Sequence, residues 1–99
     1  MMKVIWFKSA INDLQSLKEY ITLDDPHAAR LVVSRIKKSV DLLSEQPAMG
    51  RLGRVPGLRE LVVDKAPYIL PYRVRDNKIE ILRVLHTSRR WPDQINSNE

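Results

Sequence analysis

The sequence predicts an α+β fold in which a helical hairpin lies on a mainly antiparallel sheet, in the order β–α–α–β–β–β. Three observations carry this. Tyr68–Arg75 and Lys78–His86 are two runs rich in Tyr, Ile, Leu and Val, split only by the turn-formers Asp76-Asn77, the pattern of a β-hairpin. Residues 10–21 and 29–43 each carry an apolar stripe at helical spacing. Lys3–Phe7 is a short β-like run ahead of both.

Along the chain, Val4, Ile5, Trp6 and Phe7 form the first strand, with Trp6 expected in the core. Ser9 is the expected N-cap of the first helix, its side-chain oxygen accepting an otherwise unpaired backbone N–H. Ala10, Leu14, Leu17 and Ile21 make its stripe, and it should end near Leu23. Asp25-Pro26 opens the second helix. Asp25 is a natural N-cap, and Pro at the first helical position loses nothing because its N–H would be unpaired anyway. Ala29, Val32, Val33, Ile36, Val40 and Leu43 form the second stripe, and the helix should stop before Pro47. So short a link makes the two helices an antiparallel hairpin, and both stripes need the sheet as cover.

Gln46–Gly57 holds three glycines, two prolines, Arg51 and Arg54. Its spacing matches neither the P-loop nor the dinucleotide fingerprint, so it reads as a connection into the strand Leu58–Val63. With a two-residue loop at Asp76-Asn77, Arg73 faces Glu80 and Tyr72 faces Ile81. Continued without a break, that register sets Leu70 opposite Arg83, Ile69 opposite Val84 and Tyr68 opposite Leu85. Alternation then sorts Tyr68, Leu70, Tyr72, Val74, Ile79, Ile81 and Leu85 onto a core face, with Arg83 as its single charge. The other face takes Ile69, Pro71, Arg73, Arg75, Lys78, Glu80, Leu82, Val84 and His86. Residues 1–92 read as one domain, and Asp93–Glu99 is expected to fray.

Composition narrows the function classes. No run approaches the roughly 20 apolar residues of a membrane span, and the N-terminal apolar run is too short for a signal peptide. The chain has no cysteine, which removes disulfides, thiolate metal sites and Cys nucleophiles. Neither a metal site nor a cofactor is expected, no membrane partner is expected, and a cytoplasmic location fits. Net charge is +5, and it is concentrated. Residues 1–50 hold seven Lys/Arg against six Asp/Glu, whereas residues 51–91 hold ten against four. A basic half points to an anionic partner, either nucleic acid or an acidic protein segment.

Two surfaces stand out. Ile69, Leu82 and Val84, rimmed by Arg73, Arg75 and Lys78, make an apolar patch with a charged border, the mark of a protein partner. Arg89-Arg90-Trp91 sets two cations beside an indole, able to grip a target by charge, stacking and cation–π contact. His86 with Arg83 is a weak catalytic candidate. His86 could titrate near neutrality, but alternation points the two side chains to opposite faces. Arg59 and Glu60 are expected either to pair or to orient a neighbour.

The blocks R-V-P-G-L-R-E-L-V (54–62), P-Y-I-L-P-Y-R-V (67–74), I-E-I-L-R-V-L-H (79–86) and R-R-W-P (89–92), after a strand and a helical hairpin, resemble toxins of the RelE/ParE superfamily, and more closely the ParE branch. The likeness runs from Met2 to Pro92. It implies the toxic half of a type II toxin–antitoxin pair, neutralised by a cognate antitoxin and reaching operator DNA only through it. The apolar patch, Ile69, Arg73, Arg75, Leu82 and Val84, would then receive the antitoxin, and Arg89, Arg90 and Trp91 the target. ParE-type toxins act on DNA gyrase, whereas the alternative, RelE-type, cuts mRNA on the ribosome without a metal. The position matching the phosphate-holding Arg of the RelE branch is Ile69 here, and an aliphatic side chain cannot clamp a phosphate. The resemblance therefore implies a gyrase-directed toxin rather than a ribonuclease.

Overall fold

The computed structural model describes residues 1–92, 94 and 95. The elements run β1 (Lys3–Trp6), α1 (Lys8–Asp24), α2 (Pro26–Glu45), β2 (Arg51–Leu52), β3 (Arg59–Val62), β4 (Tyr68–Arg75), β5 (Lys78–Ile81) and β6 (Leu85–His86). The strands form one sheet in the order β1-β5-β4-β3-β2, with β6 also paired to β4. β1 lies parallel to β5, and the other pairings are antiparallel. The α+β architecture is the expected one, with two additions. Arg51–Leu52 pairs with β3 inside the Gly/Pro-rich connection, and β6 is set apart from β5.

Asp25 alone joins the helices. Its N–H donates to Ile21 O at 2.7 Å and so closes α1. Its Oδ1 accepts from the N–H groups of His27 (3.0 Å) and Ala28 (3.2 Å), capping α2. The expected cap at Ser9 does not form: α1 starts two residues earlier, at Lys8, with Phe7 as N-cap and no side-chain cap bond. The cause is tertiary. The Phe7 N–H donates to Ile81 O at 2.9 Å and the Phe7 ring is buried beside Leu58 and Leu82, so the chain passes from strand to helix without a linker.

The hairpin turn holds Asp76 and Asn77 at φ 53° and 60°, the left-handed pair a two-residue turn requires. From it the expected register runs true through Arg73↔Glu80 to Tyr72↔Ile81. It then breaks. The next pairs are Ile69↔Leu85 and Tyr68↔His86, so three residues (82–84) stand opposite two (70 and 71). Pro71 explains the break, because it has no N–H to give the neighbouring strand. Leu82 N–H still donates to Pro71 O at 2.9 Å, and one extra residue is then accommodated as a bulge. A one-residue shift exchanges faces. Val84 and His86 therefore turn to the helix side and Leu85 to the far side, the reverse of the expected sorting.

Two apolar cores result. The larger lies between helices and sheet and includes Ala10, Leu17, Ile36, Val40, Leu43, Leu61, Leu70, Tyr72, Ile79, Ile81 and Val84. Trp6 packs against it, half-buried. The smaller lies on the far side of the sheet, where Phe7, Leu58 and Leu82 are covered by Val55 and Ile95. Ile95 belongs to the tail expected to fray. It packs on this cluster, while Asp93 and residues 96–99 lie outside the described residues.

Candidate functional site

On the far face of the sheet, the expected antitoxin patch is not exposed. Ile69 is 5%, Leu82 0% and Val84 5% accessible. Leu82 is covered by Phe7, Leu58, Val55 and Ile95, and Val84 belongs to the helix-side core because of the bulge. The cations there are paired. Glu80 accepts from Arg73, and Arg75 approaches its other oxygen at 3.6 Å. Buried Glu60 accepts from Arg51 Nη2 at 3.2 Å, Arg54 Nε at 3.2 Å and the Arg54 N–H at 2.9 Å. Burial works to raise the Glu60 pKa, yet the Arg54 N–H, the Arg51 side chain and the Arg54 charge together hold it below the ordinary carboxylate value. Arg59 and Glu60 do not pair with each other, since alternation separates them. Arg59 Nη1 instead donates to Gly50 O at 2.7 Å and steadies the connection.

The basic-aromatic end borders a cavity of about 350 Å³ between α1, β4, β6 and the C-terminal segment. Asp13, Ser16, Leu17 and Tyr20 supply the α1 wall, one helical face at i, i+3, i+4 and i+7. Tyr68, Val84, Leu85 and His86 form the floor, and Arg89, Arg90 and Trp91 form the rim. The three residues expected from the sequence to meet the target thus converge on one concavity. Arg89 lies over the Tyr20 ring, 5.1 Å from its centroid. Arg54 stacks on Trp91 at 3.6 Å, and the Trp91 indole N–H donates to His86 O at 3.3 Å. Burial raises the pKa of the Tyr68 phenol, which the Arg89 charge partly opposes.

The two weak catalytic candidates take structural partners. Instead of facing the far side, His86 meets Tyr68 edge-on, with ring centroids 5.2 Å apart. Its Nδ1 accepts the Ser88 N–H at 3.1 Å, with Ser88 Oγ 2.9 Å away. A neutral imidazole held this way carries its proton on Nε2. Arg83 gives Nε and Nη2 to the two carboxylate oxygens of Asp13, at 2.6 and 3.0 Å. Both residues turn toward α1, and the expected separation by alternation is undone by the bulge. Tyr20 and Tyr68, absent from the sequence-based site, join it. Tyr20 had a signal: a large aromatic outside the α1 stripe.

A second surface feature is an apolar groove between β1, α1 and α2, lined by Trp6, Ile11, Leu14 and Val40 with Lys37 and Asp41 at its border. Ile11 is 42% exposed. β1 is the outermost strand on that side of the sheet.

The chain matches known proteins over nearly its whole length. A family model described as "ParE toxin of type II toxin-antitoxin system, parDE" matches residues 4–91. A putative toxin, Y4kP of Sinorhizobium fredii, is 46% identical over 93 residues, covering 94% of this chain and 96% of that protein. Toxin RelE2 of Caulobacter vibrioides is 39% identical over 89 residues, covering 90% of this chain and 99% of that protein. Among solved structures, the chromosomal ParDE TA system from P. aeruginosa superposes with a TM-score of 0.79 at 32% identity, covering 89% of this chain and 98% of that one. With its two helices on a mostly antiparallel sheet and its strand blocks in the matched region, the chain belongs to the ParE toxin family of type II toxin–antitoxin systems.

Proposed function

We propose that this toxin acts as a non-enzymatic poison of DNA gyrase in the cytoplasm, gripping its target through Arg89, Arg90 and Trp91. The observation that carries the reading is Ile69. Cleaving RNA requires fixed cations at the scissile phosphate and a proton acceptor at the 2′-oxygen. The strand position matched to the phosphate-holding cation is a buried aliphatic side chain. The nearby arginines are committed to Glu60 and Glu80, and Arg83 is committed to Asp13. By contrast, the C-terminal rim offers cations and an indole around a concavity, a surface suited to holding rather than cutting. The relative named RelE2 keeps ribosome-dependent mRNA cleavage as the competing reading. Induction separates them. Filamenting cells with inhibited supercoiling and intact transcripts support the gyrase reading. Mapped cuts in translated mRNA, abolished by His86→Ala alone, would move the protein to the ribonuclease class.

A toxin of this kind has a cognate antitoxin. With Leu82 and Ile69 buried, we place antitoxin docking on the groove of Trp6, Ile11, Leu14 and Val40. An apolar strip this exposed favours an amphipathic partner, and Lys37 and Asp41 at its border offer that partner one charge of each sign. Contact with operator DNA would then come through the antitoxin.

A further inference from the structure

We infer that Arg54 is a positioning residue of the target surface: it acts through Trp91, spanning from the buried Glu60 carboxylate to the face of that indole. This rests on the reading that Arg89, Arg90 and Trp91 grip the target, and it adds a residue outside that trio. The rim lies beyond β6, the last strand, so the sheet ladder does not reach Trp91. Side-chain contacts set the ring instead. The Arg54 guanidinium carbon stands 3.6 Å from the Trp91 ring centroid, at the near end of the range over which a cation and an aromatic face attract. The indole N–H donates to His86 O at 3.3 Å. Held on one face and at one edge, the ring turns the rest of its surface to the cavity it lines.

Arg54 is itself held from the sheet. Its Nε donates to Glu60 Oε2 at 3.2 Å, and its own backbone N–H donates to the same oxygen at 2.9 Å. Glu60 lies in β3 with 4% of its side chain exposed, so the carboxylate is a fixed anchor. A planar guanidinium bonded along one edge still offers its flat face to a ring. A second contact supports the first. Val55, next in the chain, and Ile95, four residues past Trp91, both pack on the Phe7, Leu58 and Leu82 cluster, so the connection and the C-terminal segment share a seat there as well. Arg51 provides the comparison. It gives Nη2 to Glu60 Oε1 at 3.2 Å, and its side chain is as exposed as that of Arg54, 56% in each case. The ion pair to Glu60 is common to both arginines, whereas the guanidinium stacked on Trp91 is that of Arg54.

The test compares Arg54→Ala with Arg51→Ala in the full chain. Each removes one ion pair to Glu60 and leaves the residue-54 backbone N–H on that carboxylate. Two quantities are read. One is the indole N–H resonances of the purified toxin, with Trp6 as internal reference. The other is the cellular toxin level that halves growth on induction, which presupposes no particular target. Arg54→Ala should move the Trp91 indole resonance and speed its exchange with water, and should raise the growth-halving level about tenfold. Arg51→Ala should leave both near wild type, and the thermal midpoints of the two variants should agree within about 3 °C. The inference is overturned if Arg54→Ala leaves the Trp91 resonance unmoved, if Arg51→Ala loses as much toxicity, or if Arg54→Ala loses toxicity by unfolding. A fully toxic Arg54→Ala beside a harmless variant carrying Arg89→Ala with Trp91→Ala overturns it and leaves the rim reading standing. A double variant as toxic as the wild type fells the rim reading itself, and the inference with it.

Discussion

The Arg83 guanidinium grips Asp13 through two bonds, Nε to Oδ2 at 2.6 Å and Nη2 to Oδ1 at 3.0 Å, and so ties the bulge after β5 to α1. The same carboxylate accepts the Val84 N–H. Both side chains are about three-quarters buried or more, with 25% and 19% of their surface exposed. Removing Asp13 takes away the acceptor of two guanidinium bonds and of a backbone N–H together. Asp13→Ala should therefore cost about 2 kcal/mol or more in chemical denaturation, whereas an exposed acid such as Glu19 should cost almost nothing.

Burial separates two apolar positions. Leu82 is wholly enclosed on the far side of the sheet, so Leu82→Asp should destabilise the fold by about 3 kcal/mol or more. Ile11 is 42% exposed in the groove beside Trp6. Ile11→Asp should leave the denaturation midpoint nearly unchanged and weaken antitoxin binding by about 2 kcal/mol, as expected of an apolar anchor. Calorimetry on the folded variant decides this, and unchanged affinity would place the antitoxin elsewhere.

How much of this was legible in the sequence follows from where the information is local. The turn at Asp76-Asn77, the Asp25 cap and both helical stripes depend on neighbouring residues, and they stand as read. The far-face patch did not survive because its register rested on unbroken alternation. Pro71 carried the warning: a proline in a central strand cannot donate to the ladder. Its consequence, the exchange of Val84, Leu85 and His86 between faces, is a non-local outcome of pairing. The Arg83–Asp13 and Arg54–Trp91 contacts join residues 70 and 37 positions apart in sequence, beyond the reach of periodicity. The gathering of Arg89, Arg90 and Trp91 at a concavity was half legible, as the cluster could be read but its meeting with the α1 wall of Tyr20 and Ser16 is a non-local contact.

Glu60 gives the fold an acid limit. Its pKa in the folded protein is depressed below the ordinary 4.5. A depressed carboxylate contributes stability that is complete above the unfolded value and is lost as pH falls through the lower folded value. Resistance of the wild type to urea should therefore weaken as the pH drops below about 4.5. Glu60→Gln should lose about 1–3 kcal/mol at neutral pH, since Arg51 and Arg54 lose their acceptor, and should show a flatter acid profile.

Gly50 is fixed by close approach. Its N–H donates to the Tyr72 hydroxyl at 2.9 Å, and that hydroxyl donates to Pro47 O at 2.8 Å. A Cβ at this position would sit 2.5 Å from Tyr72 Cε1, and the ring is fully buried. Gly50→Ala should cost about 1–3 kcal/mol by forcing the ring aside, visible as a lowered thermal midpoint.

The most direct measurement is a supercoiling and DNA-cleavage assay with purified gyrase and the purified toxin. The gyrase reading predicts inhibited supercoiling or accumulated cleaved DNA, abolished by Arg89→Ala combined with Trp91→Ala and largely kept by His86→Ala. Unaffected gyrase, together with cleavage of mRNA on translating ribosomes by the same toxin preparation, would contradict it.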